Sequence, residues 1–133
     1  MSDLETNSCP FCIGIYNEKV GRVLVRDELS FCIYDAYPVS KGHCLIIPAR
    51  HISSFFESNE VEKLSLMNVL GMAKRRIQQT HNPQGFNIGI NDGPVAGQTI
   101  PHLHIHLIPR YHGDVEKPEG GVRWIFPESA LYR

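Results

Sequence analysis

The chain has 133 residues, 42% of them hydrophobic and 20% charged, with 13 Lys and Arg against 14 Asp and Glu. One domain with one core is expected at this length, and the balanced charge excludes a global basic field for gripping a long nucleic acid. No apolar run approaches the ~20 residues that span a bilayer, and Met1-Ser2-Asp3-Leu4-Glu5 lacks the marks of a secretory signal, so no membrane partner and a cytoplasmic setting are expected.

Residues 1–8 read as a polar tail. Cys9-Pro10-Phe11-Cys12 follows, a pair with metal-ligand spacing that is otherwise a pair of reduced thiols or a redox couple. Two thiolates make only half a tetrahedral site, so other ligands are needed. Arg22 to Arg26 and Ser30 to Tyr34 are short and rich in branched or aromatic residues, which predicts a hairpin. Ala36 to Gly42 supplies loop chemistry before a buried-type strand, His43 to Ile47, stopped by Pro48. Cys32 and Cys44 lie in apolar runs and read as core.

From Glu60 to Gln79 the period changes: Val61, Leu64, Met67, Leu70, Ala73 and Ile77 recur at helical intervals, predicting one long helix with that stripe buried. Asn59 with Glu62 forms a capping box at its start, and Asn82-Pro83-Gln84-Gly85 turns the chain at its end. Phe86 to Ile90 and Leu103 to Ile108 are the last strands, joined by a loop through Asn91 to Gly97. Residues 111–133, with three glycines and two prolines, read as an ordered extended arm. The class is α+β with an antiparallel sheet.

Strand alternation puts His102, His104 and His106 on one face and Leu103, Ile105 and Leu107 on the other. Such a row can line a polyphosphate, neutral nitrogens serving as nucleophile or acceptor and protonated ones as donors. It can equally ligate a catalytic zinc, or be three ordinary strand histidines. The preceding loop favours phosphate: Gly93, Gly97, Gln98 and Thr99 offer backbone amides, a side-chain amide and a hydroxyl beside the first histidine.

The run Asn91-Asp92-Gly93-Pro94-Val95-Ala96-Gly97-Gln98-Thr99-Ile100-Pro101-His102-Leu103-His104-Ile105-His106-Leu107-Ile108-Pro109-Arg110 resembles the signature of the histidine triad (HIT) superfamily. Its loop and its Ile-Pro-Arg exit are more similar to the Fhit branch of dinucleoside polyphosphate hydrolases than to the Hint phosphoramidases. The resemblance covers about Cys9 to Arg110. It implies one HIT domain over 1–133, with core 9–110 and arm 111–133. Its fold would be an antiparallel sheet of about five strands with one long and one short helix, paired as a two-fold homodimer.

The resemblance also implies roles. His104 would attack the α-phosphate of a small nucleotide and carry the nucleotidyl group until water frees it as a monophosphate. His106 would bond phosphate oxygens, and His43 and His102 would orient the central imidazole. Gln98, Thr99 and Gly97 would meet phosphate or leaving group, Asn91 phosphate or ribose, and Asp35 the ribose hydroxyls. Ile33, Leu45 and Ile47 would flank the base or else be simple core. His51 and His102 would complete a structural zinc site with Cys9 and Cys12, with no organic cofactor. The alternatives are a phosphoramidase, a non-catalytic nucleotide sensor, and a zinc hydrolase that uses the triad as ligands.

Overall fold

The computed structural model describes residues 9–12 and 23–131. The tail 1–8 and Arg22 lie outside the described residues. Five strands, β1 (Val23–Arg26), β2 (Ser30–Tyr34), β3 (Cys44–Pro48), β4 (Gly85–Ile90) and β5 (Ile105–Arg110), form one antiparallel sheet in the order β1-β2-β3-β5-β4. One long helix, α1 (Glu60–His81), connects β3 to β4. Residues 10–12 form a short helical piece.

The hairpin between β1 and β2 closes on Asp27, whose Oδ1 accepts from Leu29 N at 3.0 Å and Ser30 N at 3.1 Å. Ser65 of α1 donates to the same oxygen, so one carboxylate pins the turn to the helix. On one face of the sheet, Cys32, Cys44, Ile46, Ile105 and Leu107 pack against Leu66, Val69, Ala73 and Ile77 of α1. On the other, Phe31, Ile33, Leu45 and Ile47 pack against Cys9, Phe11 and Cys12. Both faces of β2 and β3 are therefore covered, which explains why these strands read as continuous apolar runs rather than alternating ones. Each fully buried Ile, Leu or Val contributes roughly 1.5–3 kcal/mol.

The helix is where the sequence predicts it, and Asn59 and Glu62 form the capping box. Its buried face is different. Glu62, Ser65, Leu66, Val69, Ala73 and Ile77 are buried, while Val61, Leu64 and Met67 are 62%, 72% and 48% exposed. Apolar periodicity misplaced the first turns because two polar residues there are buried with partners. Glu62 receives both Arg50 Nε at 3.0 Å and Arg50 Nη2 at 2.7 Å, and Ser65 joins Asp27 and Ser30.

β5 begins at Ile105 rather than Leu103. Upstream, His102 N donates to Ile100 O at 2.8 Å and Leu103 N to Ile52 O at 2.6 Å, bonds that hold His102 to His104 outside the ladder. The arm is not simply extended: it makes two 3-10 turns, Gly121–Ile125 and Pro127–Ser129, and Arg123 bonds back to the carbonyls of Ser129 and Ala130. Among the described residues no helix is long and apolar enough to cross a membrane.

Candidate active site

The antiparallel register places His106 beside Leu45 of β3 and Gly89 of β4, on the face of the sheet away from α1. A side chain added at Gly89 would meet nothing within 4 Å, so the space beside His106 is open. His104 and His106 stand with ring centroids 5.1 Å apart, and His43 and His106 5.2 Å apart. His43 arrives just before β3 through the turn at Gly42, which adopts φ +91, a conformation that favours glycine.

Backbone partners determine which ring nitrogen carries each proton, because a carbonyl only accepts and an amide N–H only donates. His104 Nδ1 lies 2.9 Å from His102 O and must donate to it, leaving a lone pair on Nε2. Val39 N donates to His43 Nδ1 at 3.1 Å, so the neutral His43 ring carries its proton on Nε2. That proton meets His106 Nδ1 at 3.0 Å, which leaves His106 with an N–H on Nε2. The site thus holds one free imidazole lone pair, on a ring that is 8% exposed, and one imidazole donor next to it.

Asp35, at the end of β2, directs Oδ2 to within 3.4 Å of His43 Nε2 and 4.0 Å of His106 Nδ1, while Tyr37 N donates to its Oδ1 at 2.8 Å. Asp35, His43 and His106 are close enough to share a cation. The Val39 hydrogen bond argues against this use, since it keeps a proton on the nitrogen that would have to ligate.

Burial, then the neighbouring His104 and His43, push His106 down to about 4, and burial also lowers His43 despite the opposing charge of Asp35. Both rings are neutral at pH 7. Below pH 6.5, the ordinary histidine value, the unfolded chain takes up protons that the folded chain refuses until about pH 4. The His106 contribution to stability should therefore fall as pH drops through that window and level off below it. The His106 contribution is up to about 3 kcal/mol at 1.36 kcal/mol per pH unit. Urea unfolding at pH 7 and pH 4.5 measures the loss, and His106→Asn should lessen it. An unchanged slope in that variant would remove His106 from the account.

Cys9, Cys12, His51 and His102 come together beside this row, and their four ligand atoms lie within 4.8 Å of one another. Cys9 Sγ is 3.4 Å and Cys12 Sγ 3.6 Å from His102 Nδ1, and Cys12 Sγ is 3.2 Å from His51 Nδ1. A tetrahedral zinc, with bonds of about 2.3 Å to sulfur and about 2.0 Å to nitrogen, spaces such atoms by roughly 3.5 Å. His102 Nε2 donates to Pro48 O at 2.8 Å, which turns the Nδ1 lone pair toward the thiols. The residues fit a zinc ion, and the Pro48 carbonyl is the kind of outer partner that orients a ligating histidine. Burial and the adjacent Cys9 push the Cys12 thiol up to about 11, so the buried pair binds a cation only by releasing protons.

Other expected residues are placed less directly. Gln98 is tied into its own loop: its Oε1 accepts from Gly93 N at 2.8 Å and its Nε2 donates to Ser53 O at 2.8 Å and Ile100 O at 3.1 Å. Asn91 and Thr99 are exposed, and Asn91 lies over Gly97, which has φ +98. Ile33, Leu45 and Ile47 are at most 5% exposed in the second core cluster. Three contributors were not foreseen: the Pro48 carbonyl, the Val39 amide and Phe11, whose ring lies 5.1 Å from that of His104. A carbonyl or amide leaves no mark in residue identity. Phe11 had one, its place inside the cysteine pair.

Three histidines gathered at the start of strand β5 of an antiparallel sheet, with open space beside His106, define the class, and the HIT domain model matches residues 17–113. The chain belongs to the HIT family. It is 34% identical over 99 residues to the AP-4-A phosphorylase of Mycobacterium tuberculosis, covering 74% of this chain and 51% of that protein. It thus spans about half the length of that relative. It is 31% identical over 115 residues to the asymmetrical bis(5'-nucleosyl)-tetraphosphatase of Schizosaccharomyces pombe, covering 79% of this chain and 63% of that protein. Among solved structures it resembles a Zn-bound histidine triad family protein from Mycobacterium smegmatis, with TM-score 0.72 and 32% identity over 82% of this chain and 79% of that one.

Proposed function

We propose that this protein cleaves nucleoside polyphosphates, such as diadenosine polyphosphates, at the α-phosphate through a nucleotidyl group carried on His104. The observation that carries the reading is the 2.9 Å contact of His104 Nδ1 with His102 O, which in the neutral ring puts the proton on Nδ1 and leaves the Nε2 lone pair for attack. Attack by Nε2 forms an N–P bond as the bond to the leaving polyphosphate breaks and that group departs with its electron pair. Water then attacks phosphorus, loses its proton, and the N–P electron pair returns to Nε2. His106 donates its Nε2–H to a phosphate oxygen, and the His43 proton holds that ring in the donating tautomer. Asp35 accepts from the ribose hydroxyls, and Asn91, Thr99, Gln98 and the Gly97 amide line the phosphate side. Gln98, and Gly97 N, which donates to Pro94 O at 3.0 Å, must first exchange their loop hydrogen bonds for those of the substrate.

Cys9, Cys12, His51 and His102 hold one structural zinc, a reading supported by their spacing and by the Zn-bound relative. When bound, that ion fixes the segment leading into β5 and takes no part in the chemistry. A second copy covers the half-open apolar surface formed by Met67 and Leu70 of α1 and Ile88 of β4, where a cleft of about 430 Å³ lies at the edge of the sheet. The free thiols suit a cytoplasmic setting.

The experiment is a panel of diadenosine polyphosphates and an adenosine phosphoramidate, each followed with and without orthophosphate. Adenosine monophosphate released over many turnovers from the polyphosphates supports hydrolysis. Appearance of the diphosphate only when orthophosphate is present would make phosphate, rather than water, the second acceptor. Faster cleavage of the phosphoramidate would favour the phosphoramidase reading, and product limited to one equivalent per site a nucleotide sensor.

A further inference from the structure

His104 is fixed by one hydrogen bond, from Nδ1 to His102 O, and a single bond leaves a ring free to swing about it. In-line attack on phosphorus needs the Nε2 lone pair held within a narrow range of directions. Two rings supply that constraint. His106 meets His104 edge-on at 5.1 Å and 64°, and Phe11 meets it edge-on at 5.1 Å and 63°. Phe11 also meets His102 edge-on, at 5.7 Å and 84°. It is 4% exposed, so the contact is an internal wall.

Phe11 belongs to the short helical piece at residues 10–12, and so brief a helix has no stability of its own. Its position comes from packing on Phe31, Ile33, Leu45 and Ile47, and from the two thiols that flank it in sequence. Those thiols, Cys9 and Cys12, lie against His102 and His51. An ion bound by the four would tie both ends of the Phe11 segment to the strand-leading segment that carries His104.

We propose that Phe11 is a positioning residue for His104, and that filling of the Cys9, Cys12, His51 and His102 site is what holds Phe11 against that imidazole. The proposal rests on reading those four residues as a zinc site. It gives the site a specific effect on the nucleophile beyond stiffening the chain.

The test follows the histidine ring protons by nuclear magnetic resonance while Zn²⁺ is added to chelator-treated protein at one pH, with uptake measured in parallel. In the wild type, one equivalent should sharpen and shift the His104 resonances and strengthen the cross-relaxation between the Phe11 and His104 rings. In Phe11→Leu, which keeps apolar bulk, the same addition should move His102 while leaving His104 almost unmoved. For diadenosine tetraphosphate hydrolysis this variant should lose about tenfold to a hundredfold in kcat, with KM within about twofold. Uptake of one equivalent with no response at His104 in the wild type overturns the coupling and leaves the zinc site standing. No uptake overturns both. A raised KM at unchanged kcat makes Phe11 a binding residue and overturns its positioning role, and an equal His104 response in wild type and variant shows that the coupling bypasses Phe11.

Discussion

Replacing His104 with Ala should lower kcat/KM for a diadenosine polyphosphate by about 10⁴-fold or more, equivalent to about 5.4 kcal/mol of transition-state stabilisation. The size follows from the mechanism, since alanine removes the only atom that can take the nucleotidyl group. The donors around it survive: His106 keeps its partner in His43, and the loop amides do not depend on the ring. Binding of an uncleavable dinucleotide analogue should therefore stay within about threefold of wild type, so that binding and catalysis separate. If the triad instead ligated a catalytic metal, the variant would lose metal and activity together. A His104→Ala protein that turned over at a rate near wild type would remove this residue from the chemistry. Steady-state kinetics and calorimetry on the same preparation decide between these outcomes.

Replacing Cys9 and Cys12 together with Ser should bring the metal content from one zinc per chain to near zero and lower the unfolding midpoint by about 10 °C or more. The reason lies in what the site connects. His102 donates to the backbone of Pro48 in β3, His51 follows β3 in sequence, and the thiols belong to the segment covering the face of the sheet away from α1. Without the ion, only weak sulfur–nitrogen contacts join the thiols to His51 and His102. Elemental analysis of protein purified without added zinc, followed by thermal unfolding of both forms, gives the answer. A wild-type metal content near zero, or an unchanged midpoint in the double variant, contradicts a structural zinc.

Most of the architecture was readable in the residues. Alternation in Phe86 to Ile90 and the continuous apolar runs at Phe31 to Ile33 and Cys44 to Ile47 mark strands because pleating fixes a period of two and because both faces are covered. The helix and its cap were equally plain at Asn59 and Glu62. What periodicity missed was the face that α1 buries, since Glu62 and Ser65 are polar residues whose partners, Arg50 and Asp27, are distant in sequence. In the site, the His102, His104 and His106 spacing predicted a cluster of imidazoles, and His104 and His106 do stand side by side. It did not indicate the proton positions, which are set by backbone atoms of His102, Pro48 and Val39 that residue identity cannot reveal. Strand alternation also overextended β5: His102 and His104 lie upstream of it, in a segment turned by the local His102 N to Ile100 O bond and held by Leu103 N to Ile52 O, a bond that comes only with the tertiary fold.

The covalent role of His104 is tested most directly by the stereochemical course at phosphorus. A substrate carrying a chiral phosphorothioate at the α-position, cleaved in isotopically labelled water, yields a monophosphorothioate whose configuration can be assigned. Each in-line displacement inverts phosphorus. Attack by His104 Nε2 followed by water comprises two such displacements, so the account predicts net retention; net inversion, the result of a single direct attack by water, would contradict it.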